Sequence, residues 1–126
     1  MDDFKQIIDT YLFNYEKYEN GKINFECKYG ELIFIKNNNN FLTLFGIYIF
    51  PEYRQKGLCR NILYYLIENS CNVNSCNVNS CNVNSKFKYL CIESVMSKIL
   101  YNYLLRFKYK NKQFKLSKNG GFYFLT

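Results

Sequence analysis

Three observations predict a mixed α/β fold of the α+β kind, with a mostly antiparallel sheet flanked by helices. Residues 41–50 are a continuous apolar run rich in aromatic and branched side chains, the composition of a buried strand. Pro51 ends that run, because proline brings no N–H to a ladder. From Gly57 the period changes, and Leu58, Ile62, Leu63, Leu66 and Ile67 fall on one face of a helix. A second alternating run and a second helical stripe follow at 86–92 and 96–107. With 126 residues, 48% hydrophobic and 20% aromatic, the chain is sized for one domain around one packed core.

At the start, Asp2 and Asp3 can cap a helix in which Phe4, Ile7, Ile8, Tyr11, Leu12 and Tyr15 keep to one face up to about Tyr18. Asn20-Gly21 stops it. Ile23, Phe25 and Cys27 alternate with Asn24, Glu26 and Lys28, and Leu-Ile-Phe-Ile follows Tyr29-Gly30, so the pair reads as a hairpin. Residues 37–40 are all Asn and form the turn into the long strand, which makes three antiparallel strands. After the central helix, Cys-Asn-Val-Asn-Ser occurs in tandem at 71–75, 76–80 and 81–85. Cys71, Cys76 and Cys81 are spaced too widely for a zinc clip, and units this short bury too little for a solenoid. The segment 71–85 therefore reads as a duplicated polar loop inserted in a single domain, 1–126. Phe87, Tyr89 and Cys91 carry the alternation of strand 86–92, and Glu93-Ser94 ends it at a helix cap. Met96, Ile99, Leu100, Tyr103, Leu104 and Phe107 repeat a helical stripe. A final hairpin joins 113–116 to 122–125 through Asn119-Gly120.

Composition removes several function classes. No His is present, which excludes Ser-His and Cys-His nucleophile pairs, imidazole bases and His-containing zinc sites. Acid-base work falls to Glu, Asp, Tyr, Cys, Lys or water. No apolar run reaches the length of a membrane span, and Met-Asp-Asp-Phe lacks the basic-then-apolar pattern of a signal peptide, so a cytoplasmic protein with reduced thiols and no membrane partner is expected. The net charge of +7 invites a nucleic-acid reading, centred on Lys108, Lys110, Lys112, Lys115 and Lys118 interleaved with Phe107, Tyr109 and Phe114. The charge is scattered over nearly every element, however, and aromatics abound throughout, so a nucleic-acid partner is not the expectation. A homodimer stays open.

The chemistry concentrates between the long strand and the central helix. Arg54, Lys56 and Arg60 surround Gly57 where free backbone N–H groups and the positive end of the helix dipole converge, an arrangement suited to phosphate. Here the chain resembles the GCN5-related N-acetyltransferases. Their acetyl-CoA loop reads Arg/Gln-x-x-Gly-x-Gly/Ala, and Arg54, Gly57 and Cys59 stand in those places, with Ile49 and Pro51 matching the preceding Val-x-Pro. The second signature, Asn-x-x-Ala-x-x-Leu-Tyr, is matched by Ser94, Ser97, Leu100 and Tyr101, with Ser at both substituted places.

The resemblance spans about 41–126 apart from the repeat. It implies acetyl-CoA as cosubstrate and an amine as acceptor. Ile47 and Ile49 would pair with pantetheine amides between two splayed strands, and Arg54, Gln55, Lys56, Gly57, Leu58, Cys59 and Arg60 would hold the pyrophosphate, with Ser94 and Ser97 nearby. Tyr101 would protonate the leaving thiolate. Thr43 occupies the place where histone-modifying members carry a basic Glu, so the base falls to Glu93, Tyr48, Glu31 or an ordered water. The family's first strand and one of its first two helices have no counterpart, so the resemblance implies a chain trimmed at its start. Two alternatives stand beside direct acetyl transfer: a catalytically degenerate member that binds acyl-CoA or a protein partner, and a basic nucleic-acid module.

Overall fold

The computed structural model describes residues 1–37, 41–71, 87–93, 95, 97–118 and 120–125. The tandem repeat beyond Cys71, most of the Asn turn, Ser94, Met96 and Asn119 lie outside the described residues. Helix α1 (Asp2–Phe13) runs into a 3-10 turn at Tyr15–Lys17, and the chain then forms β1 (Gly21–Cys27), β2 (Gly30–Lys36) and β3 (Phe41–Ile49). Helix α2 (Leu58–Leu66) continues into a π turn at Ile67–Cys71. Strand β4 (Tyr89–Ile92), helix α3 (Lys98–Arg106) and the short strands β5 (Lys108–Tyr109), β6 (Lys112–Gln113) and β7 (Lys115–Leu116) lead to β8 (Phe122–Leu125).

Six strands make one mixed, mostly antiparallel sheet in the order β1-β2-β3-β4-β8-β7. β1, β2 and β3 are antiparallel neighbours, β3 and β4 are parallel, and β8 returns antiparallel between β4 and β7. The α2 crossover supplies the long connection that a parallel pair needs. β5 and β6 form a separate two-stranded ribbon.

The core lies on one face. Leu32, Phe34, Leu42, Leu44, Leu90, Ile92, Phe122 and Phe124 are at most 1% exposed and meet the helices there. Tyr11 of α1 stacks on Phe34 at 4.1 Å between ring centroids. Ile62, Leu63 and Leu66 of α2 are fully buried, and the Tyr65 hydroxyl donates to Asp9 of α1 at 2.6 Å. Tyr64 of α2 packs on Phe107 at 5.6 Å, and Tyr101 of α3 on Phe122 at 5.2 Å. All three helices therefore share one side of the sheet. The opposite side carries half-buried Ile33, Phe41, Phe45, Tyr89, Cys91 and Tyr123, with no helix over them among the described residues.

Four expectations need correction. The cap of α1 is the Met1 position, and Asp2 and Asp3 sit inside the first turn, where their charge still suits the dipole. In β4 the inward residues are Leu90 and Ile92, not Tyr89 and Cys91, because the register with β3 sets Leu90 beside buried Leu42. Ile99, assigned to the inward stripe of α3, is 84% exposed. The β5–β6 ribbon was not foreseen; its two-residue turn holds Lys110 and Asn111 at φ 49° and 66°, the left-handed pair that a tight hairpin turn requires.

Tyr11 generates a stability prediction. Its ring is the hub of the aromatic cluster, yet its buried hydroxyl has no hydrogen-bond partner among the described residues. Burial, then neighbouring Tyr15 and Tyr18, push its ionisation well above the usual tyrosine range. The stability this implies is present below about pH 10 and is lost as pH rises further, because the unfolded phenol ionises while the buried one stays neutral. Tyr11→Phe keeps the ring and removes the desolvated hydroxyl, so it should hold or raise stability, by up to about 1 kcal/mol, and flatten the alkaline loss. Urea denaturation at pH 7 and pH 10.5 checks both.

Candidate functional site

Strand β3 has partners on both sides over its first half only. It pairs with β4 from Phe41↔Tyr89 to Leu44↔Ile92, and the Leu44 carbonyl takes a last bond from the Glu93 N–H at 3.0 Å. On the other side, the register with β2 shifts between Ile33↔Gly46 and Phe34↔Leu44, so Phe45 is an unpaired bulge residue. The Phe50 N–H donates to Tyr29, across the turn from β1 to β2. By antiparallel alternation the polar groups of Tyr48 point to β2, and those of Ile47 and Ile49 point away from it. Among the described residues, that side has no strand beyond the end of the β4 ladder. A split thus opens between β3 and β4, lined on its β3 wall by the backbone of Ile47 and Ile49.

The chain then turns directly onto the start of α2. Pro51–Tyr53 forms a 3-10 turn, Gln55 adopts φ 64°, and Gly57 caps α2 at φ 75°, a left-handed value that glycine adopts without steric cost. No side chain caps this helix, and its first internal bond runs from the Asn61 N–H to the Gly57 carbonyl. The N–H groups of Leu58, Cys59 and Arg60 thus lie at the positive end of the dipole. Lys56 and Arg60 are exposed beside them, and Lys56 lies over the Tyr53 ring at 5.8 Å. Arg54 departs from the expected role. Its Nε donates to the Ile49 carbonyl at 2.8 Å and its guanidinium lies 5.3 Å from the Tyr48 ring, so it clamps the loop back onto β3 and occupies one of the two carbonyls expected to face pantetheine.

Two side chains flank the split from opposite faces. Tyr101 is half-buried in the first turns of α3, its ring against Phe122, which pairs with Ile92 where the β3–β4 ladder ends. Glu93 is the next residue after Ile92 and follows Tyr89 and Cys91 onto the face without helices. Ser97 acts within its own helix, where its hydroxyl caps α3 by accepting from the Leu100 N–H at 3.3 Å. Ser94 lies outside the described residues. Thr43 is 1% exposed, so the residue standing at the base position is sealed from any substrate.

Beside Glu93 the open face deepens into a groove of about 600 Å³. Phe41, Tyr89, Cys91, Glu93, Ser117 and Tyr123 line it. The Phe41 and Tyr89 rings stand edge to face at 4.9 Å, and Tyr89 and Tyr123 at 5.9 Å. Gly121 closes the groove's end; a Cβ there would stand 3.0 Å from the Ile92 carbonyl, so glycine lets the β7–β8 turn approach the strand end without pushing that backbone aside. Sequence reasoning missed these aromatic walls. Their signal lay in the alternate positions of three runs, those of β3, β4 and β8, that are apolar almost throughout.

In the basic segment 106–118 the lysines are exposed and Tyr109 is half-buried, while Phe107 and Phe114, 5% and 7% exposed, serve the core. No helix among the described residues is long and apolar enough to cross a membrane. No family model, curated protein or solved structure matches the chain.

The thiols near the site are held protonated. Burial pushes Cys59 up to about 12, and burial followed by the Glu93 charge pushes Cys91 up to about 11. Neither is a nucleophile near neutral pH, since the thiolate is the reactive form. Iodoacetamide at pH 8 should therefore label Cys59 at least about a hundredfold more slowly in the native protein than in urea, as read by site-resolved mass spectrometry.

Proposed function

We propose that the chain is an acetyltransferase of the GCN5-related kind, moving an acetyl group from acetyl-CoA to a primary amine by direct attack. One observation carries the reading: a bulged strand whose parallel partner ends early runs straight into an uncapped helix N-terminus ringed by cations. The split supplies backbone groups for pantetheine amides, and the helix start supplies N–H donors and positive charge for a pyrophosphate. Gln55 and Gly57 give the loop its tight curvature, while Leu58, Cys59 and Arg60 contribute their backbone N–H groups.

In the transfer, the acceptor nitrogen attacks the thioester carbon from the Glu93 side, and the C–S bond breaks toward Tyr101. An outward N–H of Ile47 or Ile49 steadies the oxyanion. Glu93 orients the amine and takes its proton; the Tyr101 hydroxyl protonates the departing thiolate and regains a proton from water. Buried Thr43 favours one second reading, a degenerate member that binds acyl-CoA without turnover.

Acetyl-CoA should raise the melting temperature, the stabilisation being about 2.7 kcal/mol at a hundredfold excess over Kd. The absence of a shift with either CoA or acetyl-CoA would remove the reading. Gly57→Val should abolish that shift at a cost of about 1–2 kcal/mol in stability, since a branched side chain strains φ 75° and crowds the phosphate approach. Arg54→Ala should weaken binding less, because part of its work is the clamp on Ile49.

Tyr101→Phe preserves the ring contact with Phe122. It should leave acetyl-CoA affinity within a few-fold while lowering turnover about 10²-fold. Wild-type turnover in Tyr101→Phe would end the acid role, and a wild-type protein that binds CoA but acetylates no amine would favour the degenerate member.

A further inference from the structure

We propose that the groove on the helix-free face selects a small monoamine carried on a flat, apolar stem, and that this is the acceptor of the transfer; the second clause rests on reading the split as the acyl-CoA site. The walls are rings. Phe41, Tyr89 and Tyr123 stand edge to face in a row along β3, β4 and β8, so the row offers an aromatic wall against which a planar group can lie. Aromatic faces also attract a cation, most strongly where water is excluded.

Charge fixes the number of amines. Glu93 is the one acidic side chain among the residues lining the groove, and it is exposed. A single carboxylate beside an aromatic wall neutralises a single ammonium. A polyamine or lysine-rich peptide would bring further cations against a chain of net charge +7, so such acceptors are disfavoured by repulsion. Size agrees, since about 600 Å³ falls within the range of small-molecule sites. Position agrees as well: the Glu93 N–H makes the last bond of the β3–β4 ladder, so an ammonium held by its carboxylate waits at the mouth of the split.

The decisive experiment is calorimetric titration of the full chain with 2-phenylethylamine, its uncharged analogue 2-phenylethanol, and spermidine. The amine should bind at least tenfold more tightly than the alcohol or spermidine. Glu93→Gln should erase the preference over the alcohol, and Tyr89→Ala should weaken the amine at least tenfold. Tyr123→Leu, which keeps a strand-compatible apolar side chain, serves as a second wall variant should Tyr89→Ala unfold. Equal binding of amine and alcohol, or tighter binding of spermidine, would overturn the proposal. A parallel acetyl-CoA titration separates the two readings. Acetyl-CoA binding without amine binding discards the groove and leaves the transfer reading standing. Amine binding without acetyl-CoA binding keeps the groove as an amine site and discards the transfer.

Discussion

Phe45 sits in β3 without a partner in β2, and that one extra residue turns the polar groups of Ile47 and Ile49 toward the same side as the Leu44 carbonyl. A regular strand would have alternated past Leu44 in the other phase. Because β4 stops at Ile92, the redirected groups meet no strand among the described residues, and the Ile49 carbonyl takes the Arg54 Nε instead. The approach of the β7–β8 turn through Gly121, the proximity of Tyr101 to the ladder's end and the clamp of Arg54 on Ile49 are all arranged around that interruption.

The uneven covering of the sheet follows from the same geometry. Leu42 and Leu44 face the helices before the bulge, and Ile47 and Ile49 do so after it, so β3 keeps an apolar side toward the core along its whole length. The residues between them, with the outward positions of β4 and β8, build a second apolar surface that no helix among the described residues covers. Most proteins hide that much ring area or use it. Here part of it lines the groove that holds Glu93.

Much of the fold was legible because its signals were periodic. The stripes of α1 and α2 placed Phe4, Ile7, Ile8, Tyr11, Leu12, Ile62, Leu63, Leu66 and Ile67 inside, and all are buried. Alternation with a two-residue turn gave the first hairpin. Where the contrast between apolar and polar residues vanished, so did the information. In β4, Tyr89, Leu90, Cys91 and Ile92 are all apolar enough to face inward, and only pairing with β3 fixed the phase. The Phe45 bulge had one composition signal, Gly46 inside an otherwise apolar run, and a lone strand glycine does not say which residue is left unpaired. At the candidate site, glycine and the cations marked the helix start correctly. The bond from Arg54 to Ile49 was invisible, because side-chain direction in a loop is set by the local fold.

The connections also carry a kinetic consequence. β1, β2 and β3 are joined by short turns, so each ladder closes cheaply and a three-stranded meander can assemble from contacts near in sequence. The β3–β4 pair requires the whole chain from Leu44 through α2 to Tyr89 to be closed before four residue pairs repay it. The meander should therefore precede the parallel ladder in folding, and the split beside β3 would exist, in an unfinished form, before the strand that defines its other wall has arrived.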